Sequence, residues 1–332
     1  MQTGYNLPLT KKRRRKGKKY RHLVISLVLL ALAALLLWLG LQGALRSVAW
    51  RLLAVERVNQ GVLQDKLTME VYLARQEEVI IAPAAGKLMP LVTEGERVPE
   101  GATIARLLPL AIDPEGRGAI DLKAPFAGQV SYLTDGLEKV LQPGNLENIT
   151  LQEITELAGL ARPVTSGGQV KPGTAIIRLV NNLEPLGLYA IVDEWPPGWQ
   201  QGKTVSLELP GDLSSEGGYV KARITGRQDA GDRKVVIMEV PGWDLRWLNP
   251  RKLEINAIIN KYRGVIIPAE ALSSGQKGEM GVYLYNTRGL KWQEVTSLGQ
   301  VGDKLAVEGI EAGAEVVTNP HLARWLTNER DK

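Results

Sequence analysis

Two short segments, Ile81-Ala-Pro-Ala-Ala-Gly-Lys-Leu88 and Lys123-Ala-Pro-Phe-Ala-Gly-Gln-Val130, repeat the pattern Ala-Pro-x-Ala-Gly-(Lys/Gln)-(Leu/Val) about forty residues apart. The first is followed by Leu91 to Leu107, an apolar phrase broken by Gly95 and Gly101. The second is followed by Ser166 to Leu179, which carries Gly167, Gly168 and Gly173 in a similar phrase. Glycines at such points supply the positive φ of tight turns. Each segment with its follower reads as one half of a small β-sandwich.

A different physics governs the N-terminus. Leu23 to Leu41 is uncharged and rich in leucine, interrupted only by Ser26 and Gly40. At 1.5 Å per residue such a stretch makes roughly 30 Å of helix, the hydrocarbon thickness of a bilayer. Nine basic side chains (Lys11, Lys12, Arg13, Arg14, Arg15, Lys16, Lys18, Lys19, Arg21) and no acid precede it. By the positive-inside rule that end stays cytoplasmic and the chain after about residue 46 crosses the membrane. Ser47-Val48-Ala49 offers small residues for a cleaved signal peptide. The apolar core exceeds the usual 7 to 15 or so residues of a signal sequence, which favours an uncleaved anchor. The basic cluster, next to a span, suits anionic lipid rather than nucleic acid.

The formal charge of +5 is therefore a property of that tail. Without residues 1–22 there remain 32 Lys and Arg against 36 Asp and Glu, a balance of −4 that marks no nucleic-acid face. The chain has no cysteine, which removes disulfides, thiolate catalysis and thiolate metal sites. Its two histidines, His22 and His321, are far apart and leave little for a histidine metal cluster or a Ser/His pair. Its 332 residues, 44% hydrophobic and 23% charged, suffice for two or three folded domains.

Residues 46–69 read as a connector that becomes a strand near 67–74. From 79 to 108 short β-type runs alternate with Pro83, Gly86, Gly95 and Gly101. Only Pro109 to Ala119 separates the two halves, with a turn at Asp113 to Gly118, too short for a heptad repeat. A second insertion, Leu137 to Pro163, carries Ile149, Ile154, Leu157 and Leu160 at near-helical spacing, with Thr150 as N-cap and Glu153 three residues on. A short helix is expected there, either packed on the sandwich or touching a partner. Strands are expected at Leu188 to Val192, Thr204 to Leu209, Tyr219 to Gly226, Lys234 to Val240 and Glu254 to Asn260, joined by Gly- and Pro-bearing turns. Such a series suggests a small β-barrel.

The ordered phrases carry a resemblance. The half-sandwich, second half-sandwich and barrel are followed by Gly264-Val-Ile-Ile-Pro-Ala-Glu-Ala-Leu272, Gly281-Val-Tyr-Leu-Tyr285 and Val307 to Val317. Together, over roughly residues 70 to 318, they resemble HlyD-type membrane-fusion or periplasmic adaptor proteins, in a variant without the long α-helical hairpin of many members. Ile310 and Ala314 stand where that family usually has Leu and Asp. The resemblance implies a mainly β chain. Its expected parts are a basic tail (1–22), a transmembrane helix (23–45), the connector (46–69) and a lipoyl-like barrel-sandwich hybrid (70–182) split by insertions at 109–119 and 137–163. A β-barrel (183–263), a membrane-proximal β domain (264–320) and a tail (321–332) follow.

The sandwich fold is shared with lipoyl and biotinyl carriers, whose modified lysine sits at a hairpin tip before the Ala-Pro phrase. Residues 110–119 hold no lysine and Lys123 abuts Ala124-Pro125 at a strand position, so a carrier role is not expected. Glu77-Glu78 and Glu94/Glu96 read as solvated turn charges rather than an acid/base pair. Trp195, Trp199, Trp243 and Trp247 cluster in the barrel region. They either plug the barrel ends or, as with Trp195 and Trp199 on turns, meet a partner.

The function implied is non-enzymatic, without cofactor or metal. The chain is expected to be a single-pass, extracytoplasmic adaptor for an ABC-type or proton-driven transporter in the same membrane, assembled as a homo-oligomer. The resemblance directs the turns of residues 93–101 and 167–173, with Glu94, Gly95, Glu96, Arg97, Gly167, Gly168 and Lys171, to the pore or to a neighbouring subunit. The alternative is an envelope scaffold that uses the same modules to bind wall-synthesis or division proteins.

Overall fold

The repeat in the sequence is a repeat in space. In the computed structural model, which describes residues 17–110, 118–160, 164–165, 168–210, 218–275 and 277–328, two four-stranded sheets form a sandwich. One runs in the order Gly168–Val170, Gly86–Pro90, Thr103–Pro109, Ile120–Lys123; the other Glu77–Ile81, Ala175–Val180, Gly128–Ser131, Arg97–Val98. Each Ala-Pro-x-Ala-Gly segment is the corner where the chain crosses from one sheet to the other. Ala82 donates its N–H to Thr174 (2.8 Å) and accepts from Gly173 (2.9 Å), as Ala124 donates to Ala102 (2.9 Å) and accepts from Gly101 (2.8 Å). Gly173 and Gly101 have φ of +76° and +77°, a backbone that side chains disfavour. A Cβ on Gly86 would lie 2.5 Å from the Leu108 carbonyl oxygen, and one on Gly128 would lie 2.6 Å from that of Val180. The corner glycines are therefore required by backbone approach. Leu88, Ile104, Leu107, Val130, Ile176 and Leu179 fill the space between the sheets.

The barrel follows the period-2 pattern but takes in more chain than expected. Its strands, in order Thr204–Glu208, Tyr219–Ala230, Arg233–Val240, Leu186–Val192, Asn59–Ala74 and Lys252–Pro268, close where Ser206, Leu207 and Glu208 pair with Ile258, Ala257 and Asn256. Residues 70–74, expected to open the sandwich, pair instead with 187–191. Leu188, Ala190, Leu207, Val236, Met238 and Ile255 line the barrel interior.

All seven residues of Leu186–Val192 are buried, because both faces of the strand are covered. Tyr189 and Ile191 point away from the interior and pack, with Tyr72, Val235 and Ile237, against Leu137, Leu141, Leu146, Ile149 and Ile154 of the insertion. The insertion thus covers the barrel, and the expectation that it packs on the sandwich is corrected. Helix α1 spans Gly17–Arg51 and helix α2, within the insertion, spans Leu151–Leu160. Thr150 starts α2 as expected: its Oγ1 accepts from the Glu153 N–H at 3.3 Å, and the Glu153 carboxylate accepts from the Thr150 N–H at 2.9 Å. The Thr150 N–H and hydroxyl, both donating to the Glu153 carboxylate, hold that carboxyl below the usual range.

Sandwich, insertion and most of the barrel belong to one unit, Gln64–Lys261; the second comprises Met1–Leu63 and Tyr262–Lys332. The second unit has a five-stranded sheet of Val55–Arg57, Glu315–Val317, Met280–Asn286, Ser273–Ser274 and Gly289–Glu294. Val265–Pro268 pairs with Lys304–Val307, which in turn pairs with Thr296–Val301. Val58, Val265, Ile267, Val282, Val307 and Val316 form its core.

Among the described residues one helix is long and apolar enough to cross a membrane, within Ile25–Arg51, where an 18-residue window has a mean hydropathy of 2.4. Residues 46–51, expected as connector, continue that helix, and strand begins at Val55 and again at Asn59, well before residue 67. The expected tail from 321 is also helical: helix α3 covers Pro320–Asn328. The basic residues 11–16, the turn at 113–117 and Gly167 lie outside the described residues.

Candidate functional site

The turn residues singled out in the sequence do not form one surface. Val170 pairs with Gly86 at the start of strand Gly86–Pro90, so Lys171 lies beyond that end, whereas Glu94 to Arg97 follow its other end. At about 3.3 Å per residue, the strand alone separates them by roughly 16 Å. Gly168, with φ of +71°, and Lys171 are exposed. Lys123 is exposed at the end of its strand, opposite Thr103.

Glu94, although exposed, and Gly95 make contacts within their own chain. Glu94 accepts from the Tyr132 N–H (2.7 Å) through one oxygen and from the Asn249 side-chain amide (3.1 Å) through the other. A Cβ on Gly95 would meet Leu245 at 2.9 Å. Glu94 thus ties a sandwich turn to the segment 245–250 that joins two barrel strands, and Gly95 lies close against Leu245 of that segment. Glu96 and Arg97 stay exposed; the Thr93 N–H and hydroxyl bond Glu96 and lower its pKa. Trp199, at 5% exposure, is buried in the barrel core, which removes it from the aromatics free to meet a partner. Trp247 is buried with it. Trp195 is half-buried, with the Arg227 guanidinium 3.8 Å above its ring, and the Trp243 indole donates to the Glu184 carbonyl (3.1 Å).

Glu94 and Asn249 border a buried ionic cluster that no sequence motif announced. Arg75, Glu77, Asp135, Glu138 and Arg178 are each at most 9% exposed, and Arg251 joins them. Arg251 holds both Glu77 and Asp135, its second contact to Asp135 being 3.0 Å. Arg178 approaches Glu77 at 3.2 Å and donates to the Leu248 carbonyl (3.0 Å) and the Asn249 side chain (2.7 Å). Arg75 donates to the Trp247 and Pro250 carbonyls, each at 2.9 Å. Asp135 accepts from the Leu137 N–H (3.0 Å) and Glu138 from the Asp135 N–H (2.7 Å).

Two guanidiniums, Arg178 and Arg251, thus pair with two carboxylates, Glu77 and Asp135, while Arg75 and Glu138 beside them bond to backbone groups. Burial, then the neighbouring Arg251, pushes the Arg75 guanidinium down to about 9. Burial lowers Arg178 as well. Burial opposes charge on Arg251 too, but Glu77 and Asp135 outweigh it and raise its pKa. Burial likewise opposes ionisation of Asp135, and the Arg251 hydrogen bonds overcome it and lower the pKa. Among the described residues, Arg75 Nε and Arg178 Nη1 have no hydrogen-bond partner. Glu77, expected to be a solvated turn charge, is an interior ion because Arg178 and Arg251 neutralise it; Glu78 beside it is exposed.

This arrangement is suited to holding, not to turnover. Glu77, Asp135, Arg178 and Arg251 are held in ion pairs, Arg75 and Glu138 by backbone groups, and among the described residues no three His, Cys, Asp or Glu side chains gather as a metal site. The signal available in the sequence was a lone arginine inside an apolar run, as in Ile176-Ile-Arg-Leu-Val180, since an unpaired charge is almost never buried. Naming its partners required the fold.

Residues 77–181 match the family model of the RND-related barrel-sandwich hybrid domain, and that stretch is such a domain. No curated protein matches the chain. Among solved structures, ZneB from Cupriavidus metallidurans is 12% identical, with 81% of this chain and 92% of that chain covered and a TM-score of 0.31. MacA from Actinobacillus actinomycetemcomitans is 13% identical, with 79% and 98% covered and a TM-score of 0.35. The membrane fusion protein Spr0693 from Streptococcus pneumoniae is 12% identical, with 59% and 99% covered and a TM-score of 0.28. At these TM-scores the resemblance fixes neither fold nor function.

Proposed function

We propose that this protein is a membrane-anchored adaptor subunit of an efflux or export transporter, acting by docking and assembly rather than catalysis. The observation that carries the reading is the RND-related barrel-sandwich hybrid at 77–181, set in one chain with a closed barrel and, among the described residues, one membrane-length apolar helix. In this reading α1 anchors the chain with its basic N-terminus in the cytoplasm on anionic lipid. The rest lies outside, against an ABC-type or proton-driven pump in the same membrane. Copies of the chain assemble around the exit path, presenting exposed Glu96, Arg97, Gly168 and Lys171 to one another or to the path.

The test is crosslinking of the full-length protein in its native membrane, followed by affinity purification in mild detergent and mass spectrometry. A stoichiometric polytopic transporter is the expected companion. Recovery of only wall-synthesis or division proteins would replace the adaptor reading with that of an envelope scaffold.

A further inference from the structure

Helix α3 has two distinct faces. Ala323 packs with Tyr283, Val317 and Leu53, the last from the chain just beyond α1, and Leu326 is also buried. His321, Arg324 and Trp325, spaced i, i+3, i+4, share the exposed face, with Trp325 39% exposed. An exposed tryptophan beside basic side chains on an amphipathic helix suits a membrane–water interface, where the indole enters the headgroup layer and the guanidinium meets phosphate.

The place of this face is set by its ties to α1. The two helices touch. Asn319, immediately before α3, clamps the exit of α1: its side-chain oxygen accepts from the Ala54 N–H (3.1 Å) and its amide donates to the Leu52 carbonyl (2.8 Å). Val55–Arg57 then pairs with Glu315–Val317, the last strand before α3. Trp50 lies against Tyr285, with ring centroids 6.4 Å apart. Trp50 follows Leu45, the expected end of the span, by five residues, or about 7.5 Å of helix, close to the depth of one headgroup layer.

We propose that α3 lies on the outer surface of the membrane crossed by α1, with His321, Arg324 and Trp325 in the lipid headgroup layer. This rests on α1 spanning the membrane. The anchor then enters the folded unit through a two-helix foot clamped by Asn319, which fixes the height and tilt of that unit above the bilayer.

The absence of cysteine allows a direct test in the full-length protein, reconstituted in vesicles of phosphatidylcholine and phosphatidylglycerol. Single variants L35C in α1, W325C in α3 and K221C on the exposed barrel wall are labelled with a nitroxide, and relaxation by oxygen and by a water-soluble nickel complex is compared. The expected order places the label at 35 in hydrocarbon, that at 221 in water and that at 325 between them, with access to nickel several-fold below that at 221. If the label at 325 behaves like that at 221 while that at 35 reads hydrocarbon, the inference is overturned. It is also overturned if 325 is shielded from both agents, since protein then covers the face. A label at 35 that reads water would overturn the membrane span itself, a distinct failure.

Discussion

The sandwich core is dry and repetitive, whereas the junction beside it is charged and assembled from distant stretches. In the sandwich, stability comes from apolar burial, and its most demanding positions are the corner glycines, where nothing larger than hydrogen fits. At the junction, Arg75 and Arg178 are buried with Glu77, Asp135 and Glu138, the partly buried Arg251 reaches Glu77 and Asp135, and Glu77 pairs with arginines from two other segments. Buried ion pairs add little net stability over an apolar filling, because desolvation offsets their attraction, but breaking one leaves an uncompensated charge. The difference teaches that the sandwich is built on local packing, and the junction on contacts that join sandwich and barrel.

Removing Arg251 should show this most strongly. R251A leaves Asp135 without its guanidinium and Glu77 with Arg178 alone, and we expect a loss of about 3–5 kcal/mol, read as a lower denaturation midpoint by tryptophan fluorescence. A loss as small as that of an exposed pair would mean that water reaches the cluster. In the sandwich, G86A and G128A should each cost about 1–3 kcal/mol, since each Cβ would press on a carbonyl oxygen. Near-equal losses would confirm that the two corners are equivalent in energy as well as geometry; unequal ones would break the symmetry.

The junction should also respond to acid. The Asp135 carboxyl is held below its ordinary range, so the stability from its pairing is present above that range. It is lost as pH falls through the lowered value. D135N should be less stable at neutral pH and show a flatter decline of Tm on the acid side; parallel curves for the two proteins would exclude Asp135 as a source of that decline. T150A, which removes the cap of α2, should cost about 1 kcal/mol. The smallest effect is expected for R106A, which breaks the exposed Arg106–Asp121 pair and should change stability by less than about 1 kcal/mol.

Much of the architecture was legible because it rests on local rules. The Ala-Pro-x-Ala-Gly repeats announced the sandwich, the Thr150/Glu153 pair announced α2, and alternating strands between glycine turns announced the barrel. Boundaries failed where a strand served a neighbour: residues 70–74 carry an apolar pattern that fits either module, and pairing with 187–191 decided between them. Helix α3 was missed because its buried face consists of only a few residues, whose partners, Tyr283, Val317 and Leu53, lie elsewhere in the chain. Of the candidate site residues, Glu94, Glu96, Arg97, Gly168 and Lys171 are exposed as turn chemistry implies, Gly95 is half-buried, and Trp199 lies in the barrel core.

The sequence by itself determined the apolar helix, the duplicated corners and the glycine turns, because each depends on the chemistry of residues close together in the chain. Only the tertiary structure decided that the insertion covers the barrel, that Glu77 is an interior ion, and that Arg178 and Arg251, distant in the chain, share Glu77. A buried charge is tolerable only beside its counter-charge, and which counter-charge arrives depends on how distant strands pair.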